Sequence, residues 1–175
     1  MADKDELQLL SAFQAVCATR PGVLRAARGL SHFGEHALGW VGIAGVGALV
    51  DRPRRAQWGS VAMGAVGAHA AAIVLKRAVR RPRPEHPSVA VHVSTPSRLS
   101  FPSSHAASTA AAAVLLGRLT GLPLPALLIP PMALSRMILG VHYPTDVLAG
   151  AALGVGSASA LMLAQDRCVV SGGSR

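Results

Sequence analysis

Apolar residues in this chain come in blocks with Gly and Ala interleaved: His36 to Val50, Gln57 to Leu75, His105 to Leu119, Leu122 to Leu139 and Val147 to Ala164. Runs of this length predict helices that cross a bilayer. Several fall below the roughly 20 residues of an untilted span, so tilt, polar helix ends or local thinning of the bilayer is expected. A basic turn, Asp51-Arg52-Pro53-Arg54-Arg55, and a Gly121-Leu122-Pro123 turn separate successive blocks. Ahead of them, Leu7 to Leu30 is amphipathic and broken at Pro21-Gly22, as in an interfacial helix or a poor first span. The pattern predicts an all-α, polytopic transmembrane bundle of five to six helices, the N-terminal one spanning or interfacial. Residues 1–164 form one membrane-embedded domain, and 165–175 a flexible polar tail. No repeat of fixed period is visible.

Composition agrees with the pattern. Hydrophobic residues make up 51% of the 175 and mean hydropathy is positive, at +0.42, which excludes an ordinary soluble domain of this low aromatic content. The net charge of +9 comes from cations at the ends of apolar blocks, without the interleaved aromatics of a nucleic-acid surface. Partners are therefore expected to be anionic membrane lipids or a phosphorylated substrate, and not nucleic acid. Cys17 and Cys168 have neither disulfide-framework nor zinc-ligand spacing and read as packing residues. The first ten residues are acidic and polar, so no signal peptide is expected to be removed. Gly39, Gly42, Gly45, Gly47, Gly64, Gly67, Gly150 and Gly154 predict close approach of helix backbones, within the chain or in a homo-oligomer.

Three polar motifs interrupt the apolar background: Lys76 to Arg83-Pro84, Pro102-Ser103-Ser104-His105, and Ser135-Arg136 followed by His142 and Asp146. The blocks from His105 to Ser135 form a helical hairpin, which returns the chain to the face it left. Lys76 ends its own block, and the polar stretch from Arg77 to Phe101 reaches Pro102 without crossing. All three motifs thus meet on one face, where so many ionisable groups require a ligand or mutual pairing to offset desolvation. The polar stretch is long enough to serve as a lid or substrate-contacting loop.

Each motif has a plain and a chemical reading. Ser103 or Ser104 can cap the following helix, whose free N–H groups suit phosphate oxygens, and His105 in its first turn is either exposed or a proton donor. His142 and Asp146 are either a capping pair or a nucleophile with a carboxylate that fixes its tautomer. Lys76, Arg83 and Arg136 can clamp phosphate oxygens as charge develops on them, while Arg77, Arg80 and Arg81 read as headgroup contacts. Among other residues, His69 reads as a packing side chain, Glu35-His36 can face the same surface, and Phe101 and Tyr143 read as lipid–water boundary aromatics.

The spacing Lys76, six residues, Arg83-Pro84; Pro-Ser-Ser-His ending at His105; and Ser135-Arg136, five residues, His142, three residues, Asp146 resembles the type 2 phosphatidic acid phosphatase (PAP2) superfamily. These membrane lipid phosphatases share their site with vanadium haloperoxidases. Ser104 stands where that family usually has Gly. The resemblance implies a phosphohistidine mechanism with His142 as nucleophile, Asp146 as its partner and His105 as acid. It assigns Lys76, Arg83, Ser103, Ser104 and Arg136 to phosphate binding, and implies no metal and no cofactor. The stretches Phe101 to Ala106, Gly121 to Pro125 and Pro130 to Arg136 further resemble the actinobacterial branch that removes the 5-phosphate from decaprenylphosphoryl-5-phosphoribose, in cell-wall arabinan precursor synthesis. Undecaprenyl pyrophosphate and phosphatidylglycerophosphate or phosphatidate are alternative substrates. A non-catalytic protein binding anionic lipid is the alternative of another class. The resemblance implies residence in the bacterial plasma membrane. Basic residues nearly balance between the two faces, and a cytoplasm-facing site is expected because a ribose-phosphate lipid is made there.

Overall fold

Each of the five apolar blocks is helical in a computed structural model of the chain, which describes residues 2–172 and the side chains of residues 4–167. The helices are α1 (Ala2–Cys17), α2 (Val23–Gly34), α3 (Leu38–Val50), α4 (Arg55–Val79), α5 (Ser104–Thr120), α6 (Leu124–Ile138) and α7 (Pro144–Gly172). Among the described residues there is no strand, only one isolated bridge between Pro82 and Leu99.

Three stretches are long and apolar enough to cross a membrane: Val23–Val50, Arg52–Val79 and Pro144–Arg167. The first is α2 and α3 joined through a single 3-10 turn, where His36 and Ala37 adopt left-handed backbone with φ of 50° and 62°. The amphipathic segment from Leu7 to Leu30 is thus two helices separated at Pro21-Gly22. α2 enters a span, whereas α1 packs beside α6 and is tied by Gln14 to the polar loop at Ala90 and to the carbonyl of Ile138. α7 continues to Gly172, so residues 165–172, expected as tail, have helical backbone; residues 173–175 and the side chain of Cys168 lie outside the described residues. Cys17 packs against the Ile138 and Leu139 cluster.

α5 is the central element, packed by α4, α6 and α7. Its Ala106, Ala107 and Ala110 to Ala113 are essentially inaccessible, because only methyl-sized side chains let so many neighbours close in at once. On α7, a side chain at Gly150 or Gly154 would collide with the carbonyls of Ser103 and Ala107 on α5. Gly64 similarly receives Leu115, and Gly47 receives the Trp58 ring, whereas Gly42, Gly45 and Gly67 face open space. The large side chains left outward, among them Leu49, Val50, Val66, Leu127, Leu148 and Leu163, give the bundle an apolar outer belt suited to lipid.

Caps and turns set the two ends. Ser103 caps α5, its Oγ accepting from the Ala106 N–H at 3.4 Å, and Gly121 ends that helix at φ 75°. At the far end Arg54 donates to the Leu119 carbonyl at 3.2 Å and Arg118 pairs with Asp166 at 2.7 Å. The three polar motifs all lie at the other end, as the hairpin argument requires.

Gly154→Ala should lower stability in detergent by about 1–3 kcal/mol through overpacking against α5. Gly67→Ala, in open space, should be neutral or stabilising by up to about 1 kcal/mol through helix propensity. Thermal unfolding of the two variants beside wild type measures the difference.

Candidate active site

The end of α4, the loop after it, the start of α5, the end of α6 and the turn into α7 surround one cavity of about 390 Å³. Six of the eight residues singled out from the sequence line it: Lys76, Arg83, Ser104, His105, Arg136 and His142. The other two stand behind this wall. Ser103 is inaccessible and occupied as the α5 cap, and Asp146 is inaccessible beneath His142.

His142 lies in the turn between α6 and α7. Its Nδ1 is 3.6 Å from Asp146 Oδ2, an ion-pair separation longer than a hydrogen bond, and has no hydrogen-bond partner. Its Nε2 is 3.4 Å from Arg83 Nη1. Because a guanidinium can only donate, Nε2 there carries the lone pair and Nδ1 the proton. Burial, and then the positive charges of Arg136, Arg83 and Lys76, hold the His142 pKa well below the usual imidazole value, so the ring is neutral at physiological pH. A neutral, Nδ1-protonated imidazole is the form in which Nε2 can attack phosphorus.

The cations are held differently from one another. Arg83 donates from Nε to the Ser97 carbonyl at 2.8 Å and from Nη1 to the Val141 carbonyl at 2.6 Å; burial lowers its pKa to about 10, which leaves it charged. Arg136 is 2% exposed, donates to Ser31 Oγ at 2.6 Å, and has an Nε without a partner. Lys76 donates to the carbonyls of Leu99, Ser100 and Pro102 at 3.3, 2.9 and 2.9 Å. The lysine therefore pins the chain that leads into α5, and faces the cavity chiefly as a charge. His105 Nε2 lies 3.1 Å from the Ser31 carbonyl, so it donates there and its Nδ1 is the nitrogen open to proton exchange. Gly34 makes room for this ring: a Cβ on it would lie 2.8 Å from His105 Cδ2.

Asp146 organises the back of the site. Its Oδ2 accepts from the Tyr143 N–H at 2.8 Å, its Oδ1 pairs with Arg81 at 3.0 Å, and its carbonyl accepts from the Ser103 N–H at 2.9 Å. Arg81 also pairs with Glu6 of α1 at 3.1 Å, donates to Thr145 Oγ1 at 2.7 Å, and lies 3.9 Å over the Tyr143 ring. Two sequence expectations are thereby corrected. Arg81 is a buried-side partner of the site's carboxylate and not a headgroup contact, and Tyr143 is 6% exposed and not a boundary aromatic. Nothing in the sequence pattern distinguishes Arg81 from Arg77, Arg80 and Arg83 beside it. Only the left-handed end of α4 at Arg80, φ 56°, decides which of these turns inward. Nothing in the pattern near Glu6 marks it as a site neighbour; its Oε2 also accepts from the Thr145 N–H and hydroxyl.

The polar loop is anchored instead of free. Gln14, Arg28, Lys76 and the Leu139 carbonyl hold it, and residues 93–97 with Leu99 form one wall of the cavity. His69 is a further correction: it lines the cavity, as do Glu35 and His36.

A cationic cavity in which His105 and His142 face Arg83 and Arg136, set at one end of an apolar helical bundle, defines a membrane protein built to handle phosphate. The PAP2 superfamily profile matches residues 57–169, and the chain belongs to that family of integral membrane phosphatases. It is 63% identical over 149 residues to the decaprenylphosphoryl-5-phosphoribose phosphatase of Mycolicibacterium smegmatis, covering 85% of this chain and 83% of that one. The protein of the same name from Mycobacterium tuberculosis is 58% identical over 153 residues, covering 87% and 86%. Among solved structures, the PAP2-type phosphatidylglycerolphosphate phosphatase of Bacillus subtilis superposes with a TM-score of 0.72 at 25% identity, over 91% of this chain and 86% of that one. Aquifex aeolicus LpxE shares the fold with a TM-score of 0.64 at 24% identity, over 87% and 93%.

Arg81→Ala should reduce stability by about 2–3 kcal/mol. That is below the full cost of breaking a buried pair, because the guanidinium keeps some exposure. Arg77→Ala, a surface change, should stay within about 0.5 kcal/mol of wild type by the same thermal measurement.

Proposed function

We propose that the protein hydrolyses the 5-phosphate of decaprenylphosphoryl-5-phosphoribose, without a metal ion, through a phosphohistidine on His142. The observation that carries the substrate is the identity of 58–63% to phosphatases of that name over most of both chains. The cavity's own groups support the chemistry.

The phosphate enters between Arg83 and Arg136, whose charges balance its oxygens, with the N–H groups at the start of α5 beside Ser104 as further donors. His142 Nε2 attacks phosphorus, and the bond to the ribose oxygen breaks. His105, whose Nε2–H is given to the Ser31 carbonyl, first takes the proton of the phosphate monoanion onto Nδ1 as the substrate binds. The electron pair of the breaking bond leaves on the ribose oxygen, which takes that proton from Nδ1. As His142 gains positive charge, its Nδ1–H closes the 3.6 Å gap to Asp146, which stabilises the imidazolium. Water then attacks phosphorus and gives its proton to His105, and the P–N bond breaks to release inorganic phosphate. Lys76 contributes by holding Pro102 and Ser100, and so the start of α5, at the phosphate. Ser103 acts through the cap.

Among the described residues no three His, Cys, Asp or Glu side chains are grouped as metal ligands. Independence from metal is tested directly, by activity retained in excess chelator. Detergent-purified protein should release phosphate from the ribosyl lipid under those conditions. His142→Ala should lose at least about 10⁴-fold in rate, as removal of a nucleophile does elsewhere, while still binding the lipid. Equal activity of variant and wild type would overturn the catalytic assignment, and no phosphate release from the ribosyl lipid would overturn the substrate.

We also place the protein in the bacterial plasma membrane with this cavity facing the cytoplasm, where a ribose-phosphate lipid is formed. In a chain with Cys17 and Cys168 replaced by Ser, Ala90→Cys on the exposed part of the loop should resist impermeant thiol reagents in intact cells and react after permeabilisation. Labelling in intact cells is the contrary result.

A further inference from the structure

The cavity extends past the groups that handle phosphate. From Lys76, α4 continues into the bundle through Ile73 to His69, seven residues or about 10 Å along the axis. His69 lies two helical turns from Lys76, and the mechanism above makes no use of it. Its Nδ1 is buried without a hydrogen-bond partner, although a polar atom in an apolar bundle is costly to leave unmet. Opposite, His36 brings its ring centroid to 5.9 Å from that of His69. His36 stands at the kink joining α2 to α3, in the left-handed region with φ 50°, where a non-glycine residue is strained and where such strain tends to accompany a site. Glu35, beside it, lines the same space.

We propose that His36, His69 and Glu35 form a polyol subsite that binds the sugar hydroxyls of the lipid phosphate. The inference rests on the proposed reaction and adds to it the residues that select the alcohol. A neutral imidazole offers one donor and one acceptor, and a carboxylate only accepts. Together they complement vicinal hydroxyl groups, each of which both donates and accepts. A purely apolar glyceride tail would leave His69 Nδ1 unsatisfied. The order along α4 also fits the end of the substrate that reacts: cations at the membrane boundary for the 5-phosphate, then the imidazoles for the ribose. A cavity of about 390 Å³ lies within the roughly 300–1,000 Å³ that holds ligands of this size.

Two variants test this: His69→Leu, which removes the ring nitrogens at similar bulk, and His36→Asn, whose side chain tolerates the left-handed backbone. Each is assayed on decaprenylphosphoryl-5-phosphoribose and on phosphatidate, which carries no sugar. With the ribosyl lipid kcat/KM should fall at least about tenfold, the usual consequence of unpairing a site built to bind a hydroxyl. With phosphatidate it should stay within about twofold of wild type, a change too small to represent a lost hydrogen bond. Ribose 5-phosphate as a competitor should inhibit wild type better than 2-deoxyribose 5-phosphate, and that preference should vanish in the variants. Equal losses on both lipids, or no loss on either, would overturn the subsite while leaving the reaction intact. Wild type active on phosphatidate but not on the ribosyl lipid would overturn the proposed substrate, and the subsite with it.

Discussion

A carboxylate closed off from water joins the parts of this site. Asp146 has no exposure, and a lone buried anion is among the costliest things a bundle can contain. The cost is met from several directions at once: the Tyr143 N–H, the Arg81 guanidinium and the facing His142 ring. Two of these partners share the turn into α7, and the third comes from the chain after α4. The Tyr143 amide fixes the turn into α7. Arg81 fixes the chain leaving α4 and, through Glu6, brings α1 onto the site end of the bundle. The Asp146 carbonyl takes the Ser103 N–H, which locks the start of α5 against the start of α7. A requirement to satisfy one acid thereby sets the relative positions of four segments, and with them the two histidines.

In front of Asp146 the balance of charge is reversed. Lys76 and Arg136, both buried, and the half-buried Arg83 surround the cavity, while Asp146 lies behind its wall and Glu35 lines another part of it. Backbone carbonyls absorb part of the positive field, three of them at Lys76 and two at Arg83. Carbonyl dipoles orient cations without neutralising them, so the cavity keeps an electrostatic preference for an anion. Burial, reinforced by the same field, holds His142 neutral. The environment that draws in phosphate is therefore the one that keeps its attacker unprotonated.

The sequence made some of this legible and concealed the rest for identifiable reasons. Apolar blocks predicted the helices because lipid requires uninterrupted backbone pairing and an apolar surface, although the first span begins at Val23, well ahead of its block. The hairpin from α5 to α6 then placed His105 and Arg136 on one face by parity alone. Side-chain direction inside a polar run carries no such constraint. In Arg77 to Arg83 four arginines sit within seven residues, and a single left-handed residue, Arg80, turns the chain so that Arg81 meets the buried acid while Arg77 and Arg83 line the cavity. His69 was hidden for the opposite reason. One polar residue in an apolar helix has the same pattern whether it faces a neighbouring helix or a cavity, and the kink that supplies its companion His36 follows from no local signal. Tyr143 read as a boundary aromatic because its position at a span end was visible and the guanidinium stacked on it was not.

Small residues make this arrangement compatible with a bilayer. Polar chemistry at a membrane boundary needs several helix ends within one phosphate's width, and helices clad in large side chains stand 8–10 Å apart. The alanines of α5 and the glycines at 150 and 154 of α7 bring those two backbones closer, at the end where both carry site residues. Glycine spacing of this kind lies outside the three polar motifs, yet it determines whether His105 at the start of α5 and Asp146 at the start of α7 can serve the same phosphorus atom. The apolar blocks are thus part of the catalytic geometry. A substitution there, far from any ionisable group, acts on the reaction by changing the distance between two helix starts.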